Sequence, residues 1–199
     1  MVEMSNGDSR SYGATAQNIV PRATLFSRAM QSEGIRTVLK HFPGWHDDCI
    51  PLKDLNSIKL KVKIGSEATK CRIGNNLAQF NKSISVFKEV PADAWMIGNN
   101  IYEELGPYPS TMNPEVIALV RNNLGYKGLV ISDALWEIEA GPKAILMALK
   151  VNDWIMVAYP TQVEAAIPVI RGAIKSGFLT EAEIHEKLNR ISKIKQPVS

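Results

Sequence analysis

Gly128-Leu-Val-Ile-Ser-Asp133 ends a run of small and apolar residues on a carboxylate. A buried strand of a parallel sheet reads this way where it opens into the loop at its C-terminal end, and α/β folds keep their chemistry at that end. Asp133, with Leu135 and Trp136 behind it, is therefore a candidate nucleophile or metal ligand, and the competing reading is an aspartate capping the next turn. Other apolar runs also stop on polar groups. Thr37-Val-Leu-Lys-His-Phe42 presents Lys40 and His41, Ala94-Trp-Met-Ile-Gly98 is followed by Asn99, and Asp153-Trp-Ile-Met-Val-Ala158 by Tyr159. Lys40 follows Val38 and Leu39, and a lysine buried in a central strand needs a partner. With Arg10 from an N-terminal loop, the strand ends would supply cations, an amide, an imidazole and a carboxylate around one mouth, a set suited to a polyhydroxylated substrate. Trp136 reads either as core or as a platform for a sugar ring. His46 with Asp47 and Asp48 could ligate a metal, but no second cluster completes a site, so no metal is expected.

The elements that must position these groups follow from periodicity. Helical spacing places Ile19, Ala23, Phe26 and Met30 on one face, then Leu77, Phe80, Ile84 and Phe87, then Val116, Ile117, Val120 and Leu124. Further helices are expected over 143–150, over 162–175 with a kink or break at Pro168, and over 181–194 behind a Thr180/Glu183 capping box. Helices and core strands alternate through the four strands, which is the signature of stacked βαβ units and a parallel sheet. Periodicity alone leaves a doubly wound sheet and part of a barrel both open. Ile58, Leu60, Val62 and Ile64 alternate with Lys59, Lys61 and Lys63, the pattern of a half-buried or edge strand.

Composition narrows the classes. A chain of 199 residues with 45% hydrophobic content is enough for one domain, taken as residues 1–199, and no apolar run is long enough for a membrane span. The formal net charge of +3 comes from dispersed lysines and arginines that do not interleave with aromatics, so no nucleic-acid partner is expected. No Gly-rich fingerprint follows any strand, and no cofactor is expected. The N-terminus has no secretory pattern, which leaves cytoplasmic and processed secreted locations both open. Cys49 and Cys71 have neither ligand nor redox spacing and are taken as free thiols.

Lys40-His-Phe-Pro-Gly44 resembles the signature of family 3 glycoside hydrolases, especially their β-N-acetylhexosaminidase branch. Arg10-Ser-Tyr-Gly13 resembles an upstream motif of that family, and Pro109-Ser-Thr-Met-Asn-Pro-Glu-Val116 with Leu124-Gly-Tyr-Lys-Gly-Leu-Val-Ile-Ser-Asp133 resembles its nucleophile segment. The resemblance implies a (β/α)8 barrel of TIM type acting on terminal β-linked sugars with retention. It makes Asp133 the nucleophile, and Arg10, Lys40 and His41 sugar contacts; Asn99 and Trp136 are added as candidate substrate contacts from their places after the second strand and behind Asp133.

This chain departs from the family pattern in three ways. The loop Gly44-Trp-His-Asp-Asp-Cys-Ile-Pro51 does not repeat the aspartate, small residue, histidine ending that carries the branch's acid/base, although His46 with Asp47 or Asp48 could substitute in kind. Asn99 stands where the family usually has a histidine, and an amide carries no proton. The four core strands match only the later half of the barrel, so about four of eight βα units are expected. Such an incomplete barrel implies completion by another copy or a missing N-terminal half, or an edge covered by the lysine-rich strand. A catalytically impaired relative with a sugar-binding or structural role is the alternative.

Overall fold

The apolar runs form a parallel sheet in the computed structural model, which describes residues 11–44, 50–51, 69–71, 77–138 and 141–196. In chain order the elements are α1 (Ala16–Ser32), β1 (Val38–Phe42), β2 (Ile50–Pro51), β3 (Thr69–Cys71), α2 (Leu77–Glu89), β4 (Ala94–Ile97), β5 (Ile101–Tyr102), α3 (Pro114–Ala118), β6 (Leu129–Ala134), α4 (Pro142–Val151), β7 (Trp154–Met156), α5 (Pro160–Lys175) and α6 (Glu181–Lys195). The main sheet has four strands in the order β1-β4-β6-β7, all parallel, and each crossover contains a helix. This is a mixed α/β fold with the form of an incomplete (β/α) barrel. A small sheet of order β2-β3-β5, which periodicity did not anticipate, lies apart from it. Arg10, His46, Asp48, Cys49 and the lysine-rich strand over 58–64 lie outside the described residues, as does the side chain of Cys71.

The helix ends follow local chemistry. The Asn113 side chain accepts the Glu115 N–H at 3.0 Å with Pro114 in the first position, so a local side-chain cap sets the start of α3. From Leu119 to Asn123 it continues as a π-helix, and Gly125 closes it with φ of 66°. The expected break at Pro168 does not occur: α5 runs unbroken from Pro160 to Lys175, with Ala166 and Ala173 buried on either side of the lost hydrogen bond.

The Thr180 box at the start of α6 is formed, and Glu183 also accepts from Lys150 Nζ at 2.5 Å. The Lys150 hydrogen bond, followed by the Thr180 N–H, lowers the Glu183 pKa from its ordinary 4.5 to about 2. A carboxylate depressed on folding stabilises the fold above its unfolded pKa, and that contribution fades as pH falls from 4.5 toward 2. The Glu183 side chain is 37% exposed, so solvent screening holds its worth to about 1 kcal/mol. Glu183→Gln is therefore expected to lower Tm by a few degrees at pH 6 and to match the parent only below about pH 2. A Tm gap that stays constant across this range would rule the linkage out.

The two sheet faces differ. On one, Trp95 stacks on Tyr126 at 3.9 Å between centroids and on Phe42 at 5.5 Å, with Phe87 edge-on at 5.4 Å, under α1, α2 and α3. On the other, the register aligns Met96, Ile131 and Trp154 in one row. A closed barrel fills that face with layers of side chains. Here Val38, Trp154 and Met156 remain 41%, 47% and 37% exposed. At the N-terminal ends of the strands, Asp93 and Asp153 each precede a strand and accept a backbone N–H from the neighbouring one, Thr37 and Val130, both at 2.8 Å.

Candidate active site

β6 extends past Ser132, so Asp133 is the penultimate residue of the strand rather than part of a loop. Alternation places its side chain on the same face as Leu129 and Ile131. The Ser132 hydroxyl lies between β6 and β7 and accepts the Met156 N–H at 2.8 Å, across the register shift between those strands. Asp133 Oδ1 accepts the Ala134 N–H at 2.8 Å. Its Oδ2 faces His41 Nε2 at 3.7 Å, with the two side chains 16% and 18% exposed. A carboxylate with one oxygen held by backbone and the other beside an imidazole is fixed in orientation and keeps free lone pairs.

His41 reaches Asp133 past the end of β4, and Gly98 makes this possible. A Cβ at Gly98 would stand 3.0 Å from His41 Cβ. Gly98→Ala is expected to displace the imidazole and cost about 1–3 kcal/mol in urea unfolding. Gly141→Ala, where nothing lies within 4 Å, is the control and should stay within about 0.5 kcal/mol of the parent. Equal unfolding midpoints for the two variants would refute this role for Gly98.

Asn99 is 4% exposed. Its Nδ2 donates to the Ala134 carbonyl at 3.0 Å and to Glu137 Oε2 at 3.1 Å, so both amide hydrogens join the ends of β4 and β6. Lys40 lines a recess between α1 and β1 with Tyr12, Phe26 and Met30, and forms no ion pair with Asp133 within 4 Å. Trp136 is 44% exposed on the 3-10 turn Leu135–Ile138 that follows Asp133. The geometry therefore brings Asp133, His41 and Asn99 to one end of the sheet, with Trp136 beside them. The Tyr102 hydroxyl donates to the Gly44 carbonyl and anchors the end of the Lys40–Gly44 motif. Glu137 and Gly98 escaped the sequence reading. For Glu137 the available signal was a charge inside the otherwise apolar Leu135-Trp-Glu-Ile138.

Parallel strands with helical crossovers and a carboxylate–imidazole pair at their C-terminal rim define the chain as an incomplete (β/α) barrel. The chain belongs to the family described as the glycosyl hydrolase family 3 N terminal domain, whose model matches residues 3–194. The beta-hexosaminidase of Stenotrophomonas maltophilia strain K279a is 26% identical over 184 residues, covering 86% of this chain and 52% of that protein. LpqI of M. tuberculosis superposes with a TM-score of 0.79 at 19% identity, covering 98% of this chain and 59% of that one. A glycoside hydrolase family 3 beta-N-acetylglucosaminidase from Paenibacillus sp. strain FPU-7 superposes with a TM-score of 0.76 at 25% identity, covering 94% of this chain and 36% of that one. The chain spans about half the length of the curated relatives it matches. No described helix is long and apolar enough to cross a membrane.

Proposed function

We propose that residues 1–199 form a partial catalytic domain of a retaining glycoside hydrolase acting on terminal β-linked sugars, β-N-acetylhexosaminides above all. The observation that carries this reading is the 3.7 Å approach of His41 Nε2 to Asp133 Oδ2 at the C-terminal end of a parallel sheet. The names of the relatives, a beta-hexosaminidase and a beta-N-acetylglucosaminidase, support the choice of sugar.

Asp133 Oδ2 attacks the anomeric carbon, and the bond to the leaving oxygen breaks as the acid delivers a proton to it. Water then attacks the glycosyl ester, giving its proton to the same group now acting as base, and Asp133 is released as a carboxylate. His46, oriented by Asp48, is the proposed acid/base. Arg10, Lys40 and His41 hold sugar hydroxyls, Arg10 and His41 stabilise charge at Asp133, Asn99 supports the rim, and Trp136 offers a ring face. Further βα units, from another segment or a second copy, cover the sheet face on which Val38, Trp154 and Met156 are exposed and complete the sugar pocket.

A 5-fluoro glycosyl fluoride of the N-acetylglucosamine series tests the nucleophile. The expected result is a single glycosyl adduct in intact mass, mapped to the peptide carrying Asp133. An adduct on another carboxylate, or none while turnover continues, would overturn the assignment. The second reading is an impaired relative, favoured by the engagement of both Asn99 amide hydrogens within the protein. It predicts binding of N-acetylglucosamine without turnover of alkyl glycosides, whose poor leaving group depends most on a working acid.

A further inference from the structure

At the end of the sheet opposite Asp133 lies a recess of about 170 Å³ bounded by Arg36, Asp93, Lys127, Leu129, Arg190 and Lys193. Its four cations come from three places in the chain: the segment before β1, the loop before β6 and the last turns of α6. Of the residues lining the recess only Asp93 is a carboxylate, and it is already engaged. Asp93 Oδ1 accepts from Arg36 at 2.8 Å, and its Oδ2 accepts from Thr37 N at 2.8 Å and from Gln31 at 3.0 Å.

Arg190 gives Nε to Asp153 at 3.0 Å and sets Nη1 3.7 Å from Glu186, which leaves the rest of its fork unassigned. Lys127 and Lys193 are exposed and have no hydrogen-bond or ion-pair partner among the described residues. With Arg36 paired to Asp93 and Arg190 to Asp153, Lys127 and Lys193 are the two positive charges at this recess with no carboxylate partner among the described residues. Like charges gathered this way repel, and a bound counter-anion relieves the cost. Arg36 gives Nη1 to Asp93 and Nη2 to the Gln196 carbonyl at 2.7 Å, so the two exposed ammonium groups, beside the remaining N–H groups of Arg190, are what match an oxyanion that carries more than one charge.

We propose that this recess binds a phosphate or phosphomonoester group, held by Lys127 and Lys193 and flanked by Arg36 and Arg190. The ligand bridges α6 to the N-terminal ends of β1 and β6, so binding tightens the seat of α6 on the sheet. The site is separate from Asp133 and does not depend on the hydrolase reading.

The test is thermal unfolding and calorimetric titration of the full chain with inorganic phosphate and with a sugar 6-phosphate, each against chloride at matched ionic strength. The expected result is a saturable rise in Tm of about 5 °C over chloride at a large excess of ligand over Kd, as linkage to native-state binding requires. The Lys127→Gln/Lys193→Gln double variant should keep its own Tm within about 2 °C, because neither lysine has a partner to lose, and should show no such rise. Tenfold tighter binding of the sugar phosphate identifies the ester as the ligand, and equal binding identifies free phosphate. A rise that chloride reproduces, or one that survives in the double variant, would overturn the site.

Discussion

Asp133→Ala is expected to lower kcat/KM on an aryl β-N-acetylglucosaminide by about 10⁴-fold or more, the scale seen when a covalent nucleophile is removed. That corresponds to at least about 5 kcal/mol of lost transition-state stabilisation. The reason is geometric. One carboxylate oxygen is tied to the Ala134 N–H and the other projects beside His41, so the side chain is committed to a single direction. The fold should hold, because the substitution removes one hydrogen bond worth about 1 kcal/mol from a partly exposed position. The readout is therefore turnover at unchanged Tm. Asp133→Asn keeps an acceptor for the Ala134 N–H and removes only the charge, so it should lose the same activity with still less effect on stability. Rates within threefold of the parent in both variants would defeat the assignment, and a collapsed Tm would mean that the loss came from the fold.

The largest effect on stability is expected at the other end of the sheet. Asp153 is 1% exposed and accepts from Arg121 Nη2 at 2.7 Å, Val130 N at 2.8 Å and Arg190 Nε at 3.0 Å, with Lys187 Nζ at 4.0 Å. It is the one buried anion among three cations, Glu186 beside Arg190 being exposed, and it joins the start of β7 to β6, to the π-helical segment after α3 and to α6. Burial lowers the Lys187 and Arg121 pKa values, and the Asp153 charge acts against that fall in both. Removing it leaves three cations facing one another in a half-buried site. Breaking a buried ion pair from one side costs about 3–5 kcal/mol. Against a total stability of about 5–15 kcal/mol, Asp153→Ala should lower Tm by about 10 °C or leave the chain unfolded at 37 °C. Asp153→Asn keeps an acceptor for the Val130 N–H and should fall between the two. A urea midpoint for Asp153→Ala corresponding to less than about 1 kcal/mol would show that the cluster is solvated rather than buried.

Asp93 and Asp153 show why part of this was hidden. Each is an aspartate beside an apolar run, as Asp133 is, and residue type alone does not separate a structural staple from a reacting group. Position on the strand gave the first hint: Asp133 sits at the end of β6, whereas the other two precede their strands. Their partners settle the matter, and those partners come from distant segments. The short sheet formed by β2, β3 and β5 was equally hidden, since strands of two or three residues carry too little alternation to register as a period.

The amino-acid sequence by itself determined the alternation of helices and strands, the cap at Thr180, and the arrival of Asp133 at a strand end. These depend on periods of two and of three to four residues, and on side chains that bond to backbone within one turn. The strand order β1-β4-β6-β7 and the register between β4 and β6 were decided only in three dimensions. With them came His41 opposite Asp133, the use of Asn99 to join two strands, and the row of apolar side chains left open on one face. Each of these is a contact between segments far apart in the chain, fixed by how whole elements pack rather than by any local pattern.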